Sequence, residues 1–113
     1  MDNKIINRLE QSIQFLIEGL TFTVGEFVIG KSDNGRIFVN GYTNTKFMEN
    51  IDKTNIKKEL FDLKIEFQQV MTHSNKFSEF VKNIEIDYYL LLDTGQAGIH
   101  ICGEENGVYK VFI

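Results

Sequence analysis

His100 and Cys102 are the two side chains in this 113-residue sequence whose types and spacing come nearest to catalysis. A thiol activated by an imidazole is a nucleophile, and the same two groups are ligands for a soft metal. Two positions apart on a strand, they point the same way. Same-face neighbours along one strand stand roughly 6.5–7 Å apart, however, which makes direct thiolate–imidazole contact awkward. A metal would need further ligands, and His73 is the one histidine left to supply them. Free cysteines are mostly buried as small apolar side chains. The pair is therefore read as structural, and the expectation is a protein without metal, cofactor or enzymatic activity.

A second sequence with chemical potential is Leu90-Leu91-Leu92-Asp93-Thr94-Gly95. It resembles the retroviral-type aspartic proteases, in which apolar residues lead into an Asp-Thr-Gly turn that presents the catalytic carboxylate. The resemblance implies an active dimer whose two aspartates share a proton. In that family most of an all-β fold, flap included, follows the triplet. Here 18 residues follow Gly95, and much of the chain before it has helical periodicity. Asp93-Thr94-Gly95 is read instead as turn chemistry after a strand. The pairs Gly25-Glu26, Asn34-Gly35, Asn40-Gly41 and Asn106-Gly107 make no phosphate loop, because that loop needs its glycines between a strand and a helix. Lys53, Lys57, Lys58 and Lys64 are interleaved with Glu59, Asp62 and Glu66, the pattern of a solvated helix surface.

Charge narrows the partners. Residues 1–83 carry eleven acidic and eleven basic side chains, so the net charge of −4 arises in the last thirty residues. There Glu85, Asp87, Asp93, Glu104 and Glu105 face Lys110 alone. Nucleic acid is not expected as a partner, since its binding depends on Lys and Arg replacing counterions. A basic protein surface is. The single cysteine excludes an internal disulfide. Asp2, Arg8 and Glu10 interrupt any apolar leader, and no run approaches the roughly 18 apolar residues of a membrane helix. A cytoplasmic protein that does not enter membranes is expected.

The elements that must position these residues read as one α+β domain over residues 1–113. Ile5, Leu9, Ile13 and Leu16 repeat at helical spacing from about Asp2 to Glu18, with Asp2 as cap and Gly19 as terminator. LTFTVGEFVIG reads as a strand with a bulge at Gly25, SDNG as a hairpin turn and RIFVNGY as the returning strand. Ile56, Leu60, Leu63, Phe67 and Met71 mark a helix over about 54–71. Phe61 and Ile65, on its opposite side, require cover from the 74–83 helix or from a homodimer through those two residues. Ser74 caps a short helix carrying Phe77, Phe80 and Val81.

IEIDYYLLLD then alternates, with Ile84, Ile86, Tyr88, Leu90 and Leu92 on one face. If Ile99 and Ile101 join that core face, His100 and Cys102 lie with the acidic row. The expected order is α-β-β-α-α-β-β-β, an antiparallel sheet of about five strands with helices packed against it.

The second face of the last sheet is the candidate binding surface: Glu85, Asp87, Tyr89, Leu91, Asp93, His100 and Tyr109. Acidic groups around aromatic and aliphatic anchors suit docking to a basic protein. In composition and architecture the chain is similar to the bacterial immunity proteins. These are small, acidic, cytoplasmic inhibitors that mask the basic sites of toxins, often nucleases. The leading expectation is such an inhibitor. Two alternatives are an acidic, dimeric secretion chaperone and an enzyme using His100 and Cys102.

Overall fold

The computed structural model describes residues 3–43, 53–95 and 97–113. Helix α1 (Asn3–Ile17) is followed by β1 (Phe22–Val24), β2 (Phe27–Lys31) and β3 (Ile37–Thr43). Helices α2 (Lys53–Met71) and α3 (Asn75–Phe80) lead to β4 (Ile86–Asp93), β5 (Gly98–Glu105) and β6 (Val108–Val111). The strands form one six-stranded sheet in chain order. Every neighbouring pair is antiparallel except β3 and β4, which run parallel, with Ile37 opposite Ile86 and Thr43 opposite Leu92.

Two expectations are thereby corrected. The sheet is mixed rather than antiparallel, because α2 and α3 carry the chain back across it between β3 and β4, and a crossover of that kind joins parallel strands. Among the described residues it has six strands rather than about five, because Gly25 is part of a turn and not of a bulge. Val24 pairs with Phe27, leaving Gly25 and Glu26 as a two-residue hairpin loop with Gly25 at φ +57°. Both devices shift the two-residue beat by one, so the pattern Phe22, Val24, Phe27, Ile29 fits either.

Leu9 and Leu16 of α1 are buried against β1 and β2, and Ile56, Leu60, Phe67 and Val70 of α2 are buried over β4 and β5. The core also holds Ile29, Val39, Tyr88 and Leu90 from the sheet. Phe67 sits at its centre, with the rings of Phe27, Phe77 and Tyr88 edge-on around it. The two long helices pack on each other as well as on the sheet, so they share one of its faces.

The helix ends follow local rules. Gly19 adopts φ +77° while Leu20 N–H reaches the Phe15 carbonyl and Gly19 N–H that of Leu16, the bonding of a glycine-terminated helix. Asp2, the expected cap of α1, lies outside the described residues. Ser74 Oγ accepts the Phe77 N–H at 3.1 Å and donates to Glu10 on α1 at 3.1 Å, capping α3 and tying it to the first helix. α3 therefore covers Phe67 and not Phe61, which is 59% exposed; Ile65 is half-buried. Among the described residues no helix is long and apolar enough to cross a membrane.

Candidate functional site: the helix-free face of the sheet

Side chains alternate across a strand, so every core residue on β3 to β5 implies a neighbour on the other face. In β3, Ile37 and Val39 are buried under the helices, which turns Phe38, Asn40 and Tyr42 outward. In β4 the outward set is Asp87, Tyr89, Leu91 and Asp93. Parallel pairing sets Phe38 beside Asp87, Asn40 beside Tyr89 and Tyr42 beside Leu91. No helix among the described residues lies on this face.

The expected placement of His100 and Cys102 on one face does not occur. β5 bulges where Leu90 pairs with Cys102 but Leu91 pairs with His100, leaving Ile101 without a partner on β4. Ile101 and Cys102 are consequently both fully buried in the core, while His100 stands on the open face. Cys102 Sγ lies 3.7 Å from the Ile56 carbonyl of α2, and burial pushes its thiol up. Tyr109, expected with the acidic row, is opposite Glu104 on the helix side, where its hydroxyl is buried beside Cys102 and Lys57 Nζ lies 5.2 Å from its ring centre. Thr94 and Gly95 close a surface turn in which Asp93 Oδ1 accepts the Gly95 N–H at 2.8 Å, as turn chemistry requires.

The acidic row is largely neutralised. Arg36 Nε and Nη2 donate to the two oxygens of Asp87 at 2.8 and 2.6 Å, and Asn106 N–H adds a third bond to Oδ1 at 3.2 Å. Asp87 is only 7% exposed, and Arg36 holds its carboxyl below the usual carboxylate range. Glu104 pairs with Lys64 of α2 at 2.7 Å, and Glu105 with Lys110 at 3.1 Å. Tyr89 Oη donates to Glu105 at 2.7 Å; burial and that carboxylate raise the phenol well above its ordinary value. Glu85 and Asp93 form no ion pair among the described residues, and both are exposed.

What the open face concentrates is aromatic surface. Tyr89, His100 and Phe112 form a trio with ring centres 5.1, 5.9 and 6.2 Å apart. Phe112, 45% exposed, arrives there because its N–H bonds the Ile101 carbonyl beyond the end of β6. Beside the trio is a depression of about 280 Å³ lined by Ser32, Phe38, Asn40, Asp87, Tyr89 and His100. Among the described residues nothing donates a hydrogen bond to the buried Asn40 Oδ1.

Two glycines set the rings. Phe38 lies across Gly30 on β2, and Tyr89 lies across Gly103 on β5, each so closely that a Cβ would stand 2.3 and 2.6 Å from ring carbons. The rings thereby pack against the backbone of the neighbouring strands and line the depression.

Of the residues expected at the site, Tyr89 and His100 come together; Leu91 is on the same face but 4% exposed; Asp87 is locked in its ion pair; Tyr109 is on the other side. Arg36, Phe38, Asn40 and Phe112 were not anticipated. The alternation in RIFVNGY would have placed Phe38 and Asn40 outward, but only the parallel register brings them beside Tyr89. Among the described residues no three His, Cys, Asp or Glu side chains converge on a metal-sized space. Compared with protein families, with characterised proteins and with solved structures, the chain matches none.

Proposed function

We propose that this protein is a binding protein of the inhibitor kind, without chemistry of its own, which masks a site on a basic partner such as a toxin. The surface it uses in this proposal is the helix-free sheet face. The observation that carries the reading is the Tyr89–His100–Phe112 trio beside a depression lined in part by Asn40, whose buried Oδ1 has no donor among the described residues. Clustered aromatics with one end wet are the usual anchors of protein interfaces, and a buried acceptor without a donor is a place that a donor from a partner can fill. The partner's contribution fits an N–H donor on a flat, cationic side chain, such as arginine, which stacks on aromatic rings. The acidic surplus supplies a weak attractive field rather than the contacts themselves, since three of its five carboxylates are already paired.

The test uses the purified chain as bait against the product of a neighbouring toxin-like gene, beside variants His100→Ala and Phe112→Ser. Binding and stoichiometric inhibition by the wild type, lost in both variants with circular dichroism unchanged, is the expected result. Full inhibition by both variants, or binding without inhibition, would overturn it. A dimeric secretion chaperone is the second reading, drawn from the exposed Phe61 on α2.

A further inference from the structure

β6 is an edge strand, and no described strand pairs with its outer side. Its hydrogen-bonding parity can be read from its inner side. Val108 closes a two-residue hairpin with Glu105 around Asn106 and Gly107, whose φ values are +52° and +77°. In an antiparallel ladder, alternate residues bond the same neighbour, and Phe112 N–H does reach the Ile101 carbonyl at 2.8 Å. Val108, Lys110 and Phe112 therefore face β5 with their backbone groups. Tyr109 and Val111 turn theirs outward, and the same alternation carried past Phe112 would turn Ile113 outward too.

Natural edges are protected by proline, inward charge, bulges or shortness. This one is short, four residues from Val108 to Val111, but it has no proline and a single charged side chain, Lys110, and its sequence continues apolar as VYKVFI. Val108, Val111 and Ile113 are 57, 40 and 59% exposed. A second, independent feature lies on the same side. α2 sends Lys57 over the Tyr109 ring and Lys64 to Glu104, and Phe61, four residues after the first and three before the second, stands between them. The large exposed ring on α2 is thus on the flank of the helix turned toward β5 and β6.

We propose that a second copy of this chain occupies this edge, β6 pairing antiparallel with β6 about a two-fold axis through Val111. The register is the one that the segment's own chemistry selects. With Val111 opposite Val111, Tyr109 faces Ile113 of the other copy, and all three outward residues find hydrogen-bonded partners. Lys110 then lies across from Phe112, a cation beside a ring. An axis through Lys110 would set that lysine against itself, where like charges directly opposite are destabilising. An axis through Tyr109 would run Val111 against the Asn106-Gly107 turn.

The geometry above the seam fits as well. α2 lies over β4 and β5, so the two copies of α2 are separated by about four strand spacings, roughly 19 Å. Helices are about 10 Å across with their side chains, which leaves a trough into which the two Phe61 rings project. In this dimer Lys110 of the second copy borders Phe112 at the rim of the proposed partner site, while Tyr89, His100 and the depression beside them stay open; solution mass tests the one proposal and inhibition of the partner the other.

The test is the mass of the full chain in solution, by light scattering and sedimentation over micromolar concentrations, with amide exchange alongside. The expected result is a dimer dissociated by Val111→Pro. That change removes an outward N–H and leaves the β5–β6 bonds of the monomer intact. Phe61→Ser should weaken it several-fold. In the wild type, the Tyr109 and Val111 amides should exchange roughly tenfold or more slowly at high than at low concentration, while the Lys110 amide stays protected in both. A monomer at the highest concentration, a dimer unchanged by Val111→Pro, or concentration-independent exchange at Tyr109 and Val111 would each overturn the proposal. The exchange measurement needs no variant to fold.

Discussion

Arg36 and Asp87, 51 positions apart in the chain, meet in a two-pronged ion pair that fastens the turn before β3 to the middle of the sheet. The carboxylate belongs to the open face, and its fixing there by Arg36 is what withdraws it from the surface available to a partner.

The pair makes stability depend on acid. Arg36, by hydrogen bonding, lowers the Asp87 value in the folded state below that of an unfolded aspartate. A lowered carboxylate contributes stability above the unfolded value, near 4, and loses it as pH falls through the folded one. Thermal midpoints should decline as pH falls below about 4. Asp87→Asn should cost on the order of 2 kcal/mol at neutral pH and flatten that decline. Melts of both proteins from neutral pH into acid are the measurement, and parallel curves would refute the assignment.

Gly30 and Gly103 should resist substitution for a reason their backbone does not show, as neither has positive φ. An alanine Cβ at 103 would lie 2.6 Å from Tyr89 Cδ1 and 3.0 Å from the Tyr88 carbonyl; at 30 it would lie 2.3 Å from Phe38 Cζ. Each ring must lift off the sheet. Gly103→Ala and Gly30→Ala should cost roughly 1–3 kcal/mol and shift the Tyr89 or Phe38 ring resonances. Gly35→Ala, with positive φ and open space around it, should cost stability through strain alone and leave both rings in place. Ring shifts of equal size in all three variants would argue against the account.

Cys102 should be inert in the native protein. It is fully buried beneath α2 with its thiol pushed up, and His100 is on the other side of the sheet. Aromatic disulfide reagents should modify it only when β5 or α2 opens, at a rate that rises with denaturant. Cys102→Ala should leave partner binding unchanged while losing some stability. Rapid stoichiometric modification under native conditions would mean that the thiol is not where the structure has it.

Periodicity made the helices and most strands legible, because Leu9, Leu16, Ile56, Leu60 and Phe67 are spaced by the same geometry that buries them. The hairpin at Gly25 was ambiguous for a physical reason: a bulge and a two-residue turn shift the alternation equally. The bulge in β5 was not legible at all. It places Ile101 and Cys102 together in the core and reverses the face of every residue after them, which is why Tyr109 moved to the helix side. The parallel joining of β3 to β4 depends on how α2 and α3 return across the sheet. Local sequence is silent on that, and with it on the meeting of Arg36 with Asp87 and of Asn40 with Tyr89.

The last prediction separates charge from contact in the proposed complex. Of the five acidic residues after position 83, Asp87, Glu104 and Glu105 are paired, and only Glu85 and Asp93 have no ion pair among the described residues and so can attract a basic partner. Exposed rim charges act mainly on association and fade with salt. The double change Glu85→Lys and Asp93→Lys should therefore slow association only a few-fold at low salt and hardly at all at high salt. Asp87→Lys is unsuitable for the same purpose, because it would set two cations against each other in a nearly closed site and disturb the fold. Tyr89→Ala should act instead on dissociation. Its ring packs on Gly103, His100 and Phe112, and its loss should remove about 2 kcal/mol, a roughly 30-fold faster release. Surface plasmon resonance at two salt concentrations reads both effects once the partner is in hand. A large, salt-independent effect of the charge reversals with wild-type release from Tyr89→Ala would shift the interface from the aromatic trio to the sheet's acidic ends.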